Sequence, residues 1–252
     1  MNYVACIVAV APLRKEAAHR SEMVSQLLLG EFAEVLESTK DFIRVRCLYD
    51  DYEGWCQKVQ LTEVNKIEST NLYLHKAFGI AKLNGRDCHI SLATPLYSTN
   101  EIISFGKFTV QYPSRYTCDV TKNEFIQENI QHIAEQFLNA PYLWGGKSVF
   151  GIDCSGFTQQ VFKLFNIKLA RDAYQQAEIG DAIGFLQETK CGDLAFFDNE
   201  DGKITHVGIL INSETIIHSS GKVRIDKIDN VGIISSDTGE RTHRLRIIKR
   251  YK

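Results

Sequence analysis

The chain has 252 residues, of which 44% are apolar and 24% are charged, and its formal net charge is -2. This length and composition predict a soluble globular protein with at least one large core and two or three modules. The balanced charge argues against a nucleic-acid binder, and no run of Lys and Arg is interleaved with aromatic residues. No segment reaches the ~18 consecutive apolar residues of a membrane helix. We therefore expect neither nucleic acid nor a membrane as a partner.

The cysteines and the N-terminal segment predict the cellular compartment of the protein. The seven cysteines form no CxxC pair, and their odd number leaves at least one thiol unpaired. We therefore expect free thiols in a reducing environment. The run MNYVACIVAVAPLRKE lacks the basic segment that opens a signal peptide, and its alternation predicts a β-strand. These features predict a cytoplasmic protein for the chain as given, or a cell-envelope protein if a signal peptide has been removed.

The first half of the sequence predicts β-structure. Over residues 1–67, short apolar runs alternate with polar or glycine-containing turns, which is typical of a small antiparallel barrel. The runs are VACIVAV, SQLLLG, FAEVLES, FIRVRCL and GWCQKVQL. A second set follows with the same spacing: FGIAKL, CHISLAT and IISFGKFTVQY. Residues 68–120 are therefore predicted to form a second small β-module.

The pattern changes at Thr121, where Thr121 and Glu124 form a predicted capping box. Apolar residues then recur at spacings of four, three and four, which predicts a helix that opens a third domain over residues 121–252. They are Ile126, Ile130, Ile133 and Phe137. Pro141 is expected to end this helix, because proline disfavours helical geometry in the preceding residue.

A glycine-rich loop and a second predicted helix follow. Four glycines lie between Gly145 and Gly156, and Phe157, Val161 and Leu164 recur at helical spacing, so a helix is predicted to begin close to Cys154. The remaining runs, DLAFFD, ITHVGILI, TIIHSS and RLRIIK, predict an antiparallel sheet. A cysteine-bearing helix followed by a sheet is an α+β plan.

Cys154 is the candidate nucleophile. A thiolate attacks carbonyl groups, and a helix N-terminus favours negative charge, so a cysteine at such a position is expected to have a lowered pKa. The surrounding glycines leave room for backbone N–H groups to face an oxyanion. The alternative is a small buried hydrophobic residue, which the flanking sequence Asp-Cys-Ser-Gly after a glycine loop makes less favourable.

A thiol nucleophile needs a base, and the base needs an orienting partner. His206 and His218 lie in two strand-like runs joined by Asn212-Ser213-Glu214. A three-residue loop puts residues twelve apart on the same face of a hairpin, so the two imidazoles are predicted to be neighbours. His218 would then accept or donate the hydrogen bond that fixes the tautomer of His206.

The remaining histidines are assigned to the surface: His19, His75, His89, His132 and His243. No CxxC, HxxxH or HExxH spacing is present, so neither a metal nor a cofactor is expected.

Several short motifs occur in order in the second half. They are Tyr142-Leu143-Trp144-Gly145-Gly146, Asp153-Cys154-Ser155-Gly156-Phe157, Arg171-Asp172 with Gln175-Gln176, Gly192-Asp193-Leu194-Ala195-Phe196-Phe197 and His206-Val207-Gly208-Ile209. Together they resemble the NlpC family of cell-wall cysteine peptidases. The resemblance extends from about Thr121 to the C-terminus. It is greatest to the branch in which bacterial SH3-like barrels precede a papain-like catalytic domain, so one or two such barrels are expected in the first half.

The resemblance implies roles for individual residues. Cys154 would be the nucleophile, His206 the general base and His218 the orienting residue, while Tyr142 would lie near the oxyanion. Members of this branch hydrolyse the γ-D-glutamyl bond to a diamino acid in murein peptides with a free N-terminal L-alanine. The acidic residues implied for recognition of this amine are Asp153 and Glu22, and the implied aromatic wall is Tyr52 or Trp55 of the barrel.

The chain departs from some family members after Arg171. Those members have a serine near the substrate, whereas this chain has Ala173 and Tyr174. Ser155 remains available to bind a substrate carboxylate, although a place in the first helical turn explains it nearly as well. The predicted function is a cysteine endopeptidase acting on free murein peptides. The alternatives are an amidase or acyltransferase of the same fold, and an inactive module that binds the cell wall.

Overall fold

The computed structural model describes residues 2–251. Contacts divide the chain into two compact units. The first comprises Met1–Lys122 and Leu143–Gly151, and the second comprises Asn123–Tyr142 and Ile152–Lys252. The predicted domain boundaries near residues 67 and 120 stay predictions. In the described part of the chain, no helix combines the length and the apolar character needed to cross a membrane.

A seven-stranded antiparallel sheet forms the N-terminal part of the first unit. Its strands are β1 (Tyr3–Cys6), β2 (Val10–Arg14), β3 (Met23–Leu28), β4 (Phe32–Ser38), β5 (Phe42–Cys47), β6 (Glu53–Gln57) and β7 (Leu61–Val64). They lie in the order β3-β2-β6-β5-β4-β1-β7. The run predicted as one strand from Val4 to Val10 is divided between β1 and β2. Val4, Leu13, Leu27 and Val45 are buried together inside this sheet.

Six further strands follow in the first unit before Lys122. They are β8 (Leu72–Leu74), β9 (Phe78–Leu83), β10 (Arg86–Ser91), β11 (Ile103–Phe105), β12 (Phe108–Gln111) and β13 (Thr117–Asp119). Four of them form a sheet in the order β10-β9-β12-β11, and β8 pairs with β13. Their apolar side chains share one core with residues of the first sheet, since Phe32 packs with Ile90 and Phe105. The two sets of strands therefore form one unit.

Up to residue 251, the second unit contains three α-helices, a short 3₁₀ helix (Leu186–Glu188) and a seven-stranded sheet. The α-helices are α1 (Gln127–Glu135), α2 (Cys154–Lys163) and α3 (Ala173–Glu178). Strand β14 (Lys147–Ser148) belongs to the first unit, and β15 (Gly151–Ile152) spans the boundary after Gly151. The strands that follow are β16 (Asp181–Ile183), β17 (Leu194–Asp198), β18 (Ile204–Leu210), β19 (Thr215–Ser220), β20 (Lys222–Ile228), β21 (Gly232–Ile234) and β22 (Arg241–Arg250). The main sheet has the order β16-β22-β17-β18-β19-β20-β21, and β21 also pairs with β22. The strands from β17 to β22 therefore close into a ring, against which α2 packs through β18 and β19.

The start of α1 differs from the prediction. The Thr121 hydroxyl donates to Asp119 at 2.7 Å, so it does not cap a helix. The helix begins six residues later, at Gln127, with Ile126 in the capping position. The capping-box prediction was wrong because Thr121 has a closer acceptor two residues before it, in a local turn that competes with helix formation.

Candidate active site

The first turn of α2 positions Cys154. Asp153 is the capping residue, with extended backbone, and its Oδ1 accepts the N–H of Gly156 at 2.7 Å. This satisfies one of the free N–H groups at the start of the helix and fixes where the helix begins. Cys154 is therefore the first helical residue, as the apolar spacing predicted.

The Cys154 thiol is buried, with 6% of the residue exposed. Burial and the adjacent charge of Asp153 raise the pKa of this thiol to about 12, while the backbone N–H groups of Val207 and Ser155 and the charge of Arg171 act in the opposite direction. The expected lowering of the pKa by the helix terminus is thus outweighed by desolvation. Helix α2 packs against β18, the strand that carries His206.

His206 and His218 are hydrogen-bonded neighbours. His206 Nε2 lies 2.8 Å from His218 Nδ1, and the rings meet edge to face. The strands β18 and β19 pair with Gly208 opposite His218, so His206 and His218 are diagonal on one face of the hairpin. The predicted proximity of the two imidazoles is confirmed. Gly208 is required here, because a Cβ at this position would lie 2.8 Å from His218 Cβ.

Asp226 extends this pair, and the sequence analysis missed it. Asp226 Oδ2 lies 2.9 Å from His218 Nε2 and 2.9 Å from Nε of Arg224. Asp226 Oδ1 accepts the backbone N–H of Ser236 at 2.8 Å. Burial opposes ionisation of this carboxyl, but its bonds to His218 and Ser236 and the charge of Arg224 hold its pKa below the usual range.

Both histidines of the pair are held neutral. Burial lowers the pKa of His206 well below 6.5, and the neighbouring His218 and His243 add to the effect. The pKa of His218 is lowered by burial, and this effect exceeds the opposing contribution of Asp226. A neutral imidazole is the form that can accept a proton from the thiol.

His243 covers one face of the His206 ring. The two rings are stacked, with centroids 4.0 Å apart and an interplanar angle of 26°. Burial is the main reason why the pKa of His243 falls to about 4. The assignment of His243 to the surface was wrong, because strand β22 brings this residue back to β18 from a distant part of the sequence. His75 is also half-buried, and it packs against Tyr116.

Asp153 and Ser155 are joined to a buried arginine. Arg171 is 1% exposed, and its Nη2 lies 2.6 Å from Asp153 Oδ2. Its Nη1 donates to Asp153 Oδ1 and to Ser155 Oγ, at 3.0 Å in each case. The negative charge of Asp153 is therefore balanced within the second unit. Ser155 is buried in the first turn of α2, which fits the helical role considered for it.

Tyr142 is anchored to the segment that leads into α2. Its backbone N–H donates to the carbonyl of Gly221 at 2.9 Å, and it bridges to Ile152. Burial raises the pKa of its phenol to about 12, and the charges of Cys154 and Asp153 act in the same direction. The phenol therefore stays protonated and can donate a hydrogen bond.

The residues predicted in the barrel lie in the first unit. Glu22 is exposed and accepts a hydrogen bond from Trp144 Nε1 at 2.8 Å. Tyr52, just before β6, and Trp55, within β6, are half-buried, and Trp55 is opposite Arg44 of β5. In contrast, the other predicted site residues lie in the second unit: Cys154, His206, His218, Tyr142, Asp153 and Ser155. Within residues 2–251, no group of three or more His, Cys, Asp or Glu side chains has the geometry to hold a metal ion.

Comparisons with known proteins agree with this arrangement. The profile of the NlpC/P60 family matches residues 139–242, which include the cysteine and both paired histidines. The profile of the bacterial dipeptidyl-peptidase SH3 domain matches residues 13–61. The chain belongs to the NlpC/P60 family. An SH3 domain thus precedes the NlpC/P60 domain, and the family is one of cysteine peptidases.

Individual relatives align with long stretches of this chain. A γ-D-glutamyl-L-lysine dipeptidyl-peptidase of Bacillus subtilis is 33% identical over 178 residues, which are 67% of this chain and 60% of that protein. A protein of the same name from Bacillus cereus is 27% identical over 88% of this chain and 76% of its own length. The solved structure of an NlpC/P60 family protein from Bacillus cereus superposes with a TM-score of 0.81 at 20% identity, covering 99% of both chains. The last similarity shows that the fold is shared.

Proposed function

We propose that this NlpC/P60 protein is a cysteine endopeptidase that hydrolyses the γ-D-glutamyl bond to an L-diamino acid in murein peptides with a free N-terminal L-alanine. The observation that carries the peptidase assignment is that Cys154 opens α2, which packs against β18, the strand that carries His206 of a histidine pair joined at 2.8 Å. The finer substrate assignment is supported by the relatives that are named γ-D-glutamyl-L-lysine dipeptidyl-peptidases. We also propose that the helix and sheet of the second unit form a papain-like arrangement.

The first half-reaction is acylation of the cysteine. His206 uses Nε2 in the bond to His218, so Nδ1 is the nitrogen that takes the thiol proton. The sulfur then attacks the γ-carbonyl carbon of the glutamyl residue. The negative charge that develops on the oxygen is stabilised by the protonated phenol of Tyr142 and by N–H groups at the start of α2.

Acylation is complete when His206 gives its proton to the amine of the diamino acid, which leaves and gives a thioester on Cys154. The second half-reaction restores the enzyme. His206 removes a proton from water, the hydroxide attacks the thioester carbonyl, and the C–S bond breaks. His206 returns its proton to the sulfur, and the dipeptide is released as a carboxylic acid that loses its proton to solvent.

The test is turnover of L-Ala-γ-D-Glu-L-Lys by wild type and by Cys154→Ala. We expect the variant to lose cleavage while its circular dichroism spectrum stays unchanged. Cys191→Ala is the matched control, because Cys191 is a free thiol of the second unit that is only half-buried. Cleavage by Cys154→Ala at the wild-type rate would refute the assignment.

The nature of the substrate is tested separately. If a carboxylate such as Asp153 or Glu22 receives the N-terminal ammonium group, acetylation of the alanine amine removes activity. Equal cleavage of free and acetylated peptides would contradict this part of the proposal. Products identified by mass spectrometry distinguish hydrolysis from acyl transfer, and binding to cell wall without turnover would identify an inactive binding module.

A further inference from the structure

A buried carboxylate, that of Asp226, contacts His218 of the histidine pair. Asp226 is 1% exposed and lies on β20, next to the strand that carries His218. Its two oxygens face different partners, Ser236 on one side and His218 with Arg224 on the other. We propose that Asp226 is a positioning residue that fixes the tautomers of both histidines, so that Nδ1 of His206 is the unprotonated nitrogen. This inference rests on the proposed cysteine chemistry and adds a fourth residue to it.

The direction of each hydrogen bond follows from the carboxylate. An ionised carboxylate only accepts, so the proton between Asp226 and His218 belongs to Nε2 of His218. A neutral imidazole carries one N–H, which leaves Nδ1 of His218 as an acceptor. The 2.8 Å contact with His206 then requires a proton on Nε2 of His206. Nδ1 of His206 consequently carries a lone pair, which is the state a base for the thiol must have.

The surroundings of Asp226 keep it in the accepting form. The Ser236 amide donates to Oδ1, and the Arg224 guanidinium lies beside Oδ2, so every neighbouring group described here favours a carboxylate. Arg224 is also bonded to Asp237 at 3.1 Å, which holds the guanidinium in place. Without an acceptor at Oδ2, nothing in this chain of contacts would prefer one tautomer of His218 to the other.

Substitution of Asp226 by asparagine reverses the direction of these hydrogen bonds. The Ser236 N–H needs an acceptor, so it holds the amide oxygen of Asp226→Asn at the position of Oδ1. The amide NH₂ then occupies the position of Oδ2 and points at His218 Nε2, which must accept. Nδ1 of His218 becomes the donor to His206, and the proton of His206 moves to Nδ1. The variant keeps the shape of the site but holds the base in the form that cannot take a proton.

The first measurement is the tautomer itself, by ¹⁵N NMR of the imidazole nitrogens at pH 7. Assignment uses variants that each lack one of the seven histidines. We expect Nε2–H for both His206 and His218 in the wild type. A proton on Nδ1 of His206 in the wild type would overturn the proposal. This result needs neither substrate nor the Asp226→Asn variant, so it stands if the variant does not fold or if no murein peptide is cleaved.

The second measurement compares turnover. In Asp226→Asn we expect both tautomers to switch and kcat to fall by about 10²- to 10⁴-fold, with KM changed by less than about threefold. Asp229→Asn is the matched control, because Asp229 is an exposed carboxylate that pairs with Arg241 outside this chain of contacts. An unchanged tautomer or unchanged kcat in folded Asp226→Asn would refute the role.

A double-mutant cycle separates this role from a general structural one. Asparagine at position 218 places an amide oxygen near the site of His218 Nδ1, where it accepts from His206 Nε2 without help from Asp226. In the His218→Asn background, Asp226→Asn is therefore expected to lower kcat by less than about threefold. If the effects of the two substitutions on kcat instead multiplied, Asp226 would act by some route other than the tautomer of His218, and the proposal would fail.

Discussion

The stacked histidine provides a quantitative test of the site's electrostatics. His243 has a pKa of about 4 in the folded protein, below its ordinary value of 6.5. Between these values the unfolded chain binds a proton that the folded protein does not, so stability falls as pH decreases from 6.5 to 4. Relative to pH 7, the pKa shift of His243 lowers the free energy of unfolding by about 1 kcal/mol at pH 5.5 and by about 2 to 3 kcal/mol at pH 4.5. His243→Phe keeps a ring over His206 but removes the titration, so its stability should fall less with acidification.

The assay is urea unfolding followed by far-UV circular dichroism at pH 7.0, 5.5 and 4.5. Trp55 and Trp144 both lie in the first unit, so tryptophan fluorescence recorded in parallel reports on the unit without His243. The matched control is His132→Phe, which makes the same substitution at an exposed position of α1. If wild type and His243→Phe lost equal stability between pH 7.0 and 4.5, the reasoning about burial at this site would be wrong.

Three further predictions concern the neighbouring residues. Arg171→Met leaves the carboxylate of Asp153 buried without its cation, so the free energy of unfolding measured in urea should fall by about 3–5 kcal/mol. A decrease below about 1 kcal/mol would contradict the importance of this pair. Gly208→Ala puts a methyl group against His218, so we expect the free energy of unfolding to fall by about 1–3 kcal/mol and kcat to decrease. Wild-type stability and turnover in this variant would contradict the prediction and show that the hairpin adapts. Because the pKa of His206 is lowered, the acid limb of kcat/KM against pH should lie below 6.5, and a limb at or above 6.5 would disagree with its burial.

Local patterns in the sequence were sufficient for the histidine pair. The parity of a three-residue loop fixes which residues share a face of a hairpin, and the observed register of β18 and β19 follows it. The same reasoning could have found Asp226. A turn centred on Gly221 places Arg224 opposite His218, and Asp226 is then diagonal to His218 on the same face. The signal was present in the run from Lys222 to Ile228, which the sequence analysis did not treat as a strand.

Other features depended on contacts that no local pattern contains. His243 reaches His206 because β17 pairs with β18 on one side and with β22 on the other. Neither this pairing nor the stacked ring can be inferred from the residues around His243, which are polar. The grouping of Leu143–Gly151 with the first unit is of the same kind, because the chain leaves the second unit after Tyr142 and returns at Ile152.

The distribution of charge explains how a buried site can exchange a proton. Asp153 and Asp226 are both buried, and each is matched with an arginine, Arg171 or Arg224. Desolvation therefore shifts the pKa mainly of the groups that have no fixed counter-ion. It raises the pKa of the Cys154 thiol and lowers that of the His206 imidazole, so that both are neutral before substrate binds. Proton transfer between them then requires interactions that develop with the substrate, and the chain from Asp226 determines which nitrogen is ready to receive the proton.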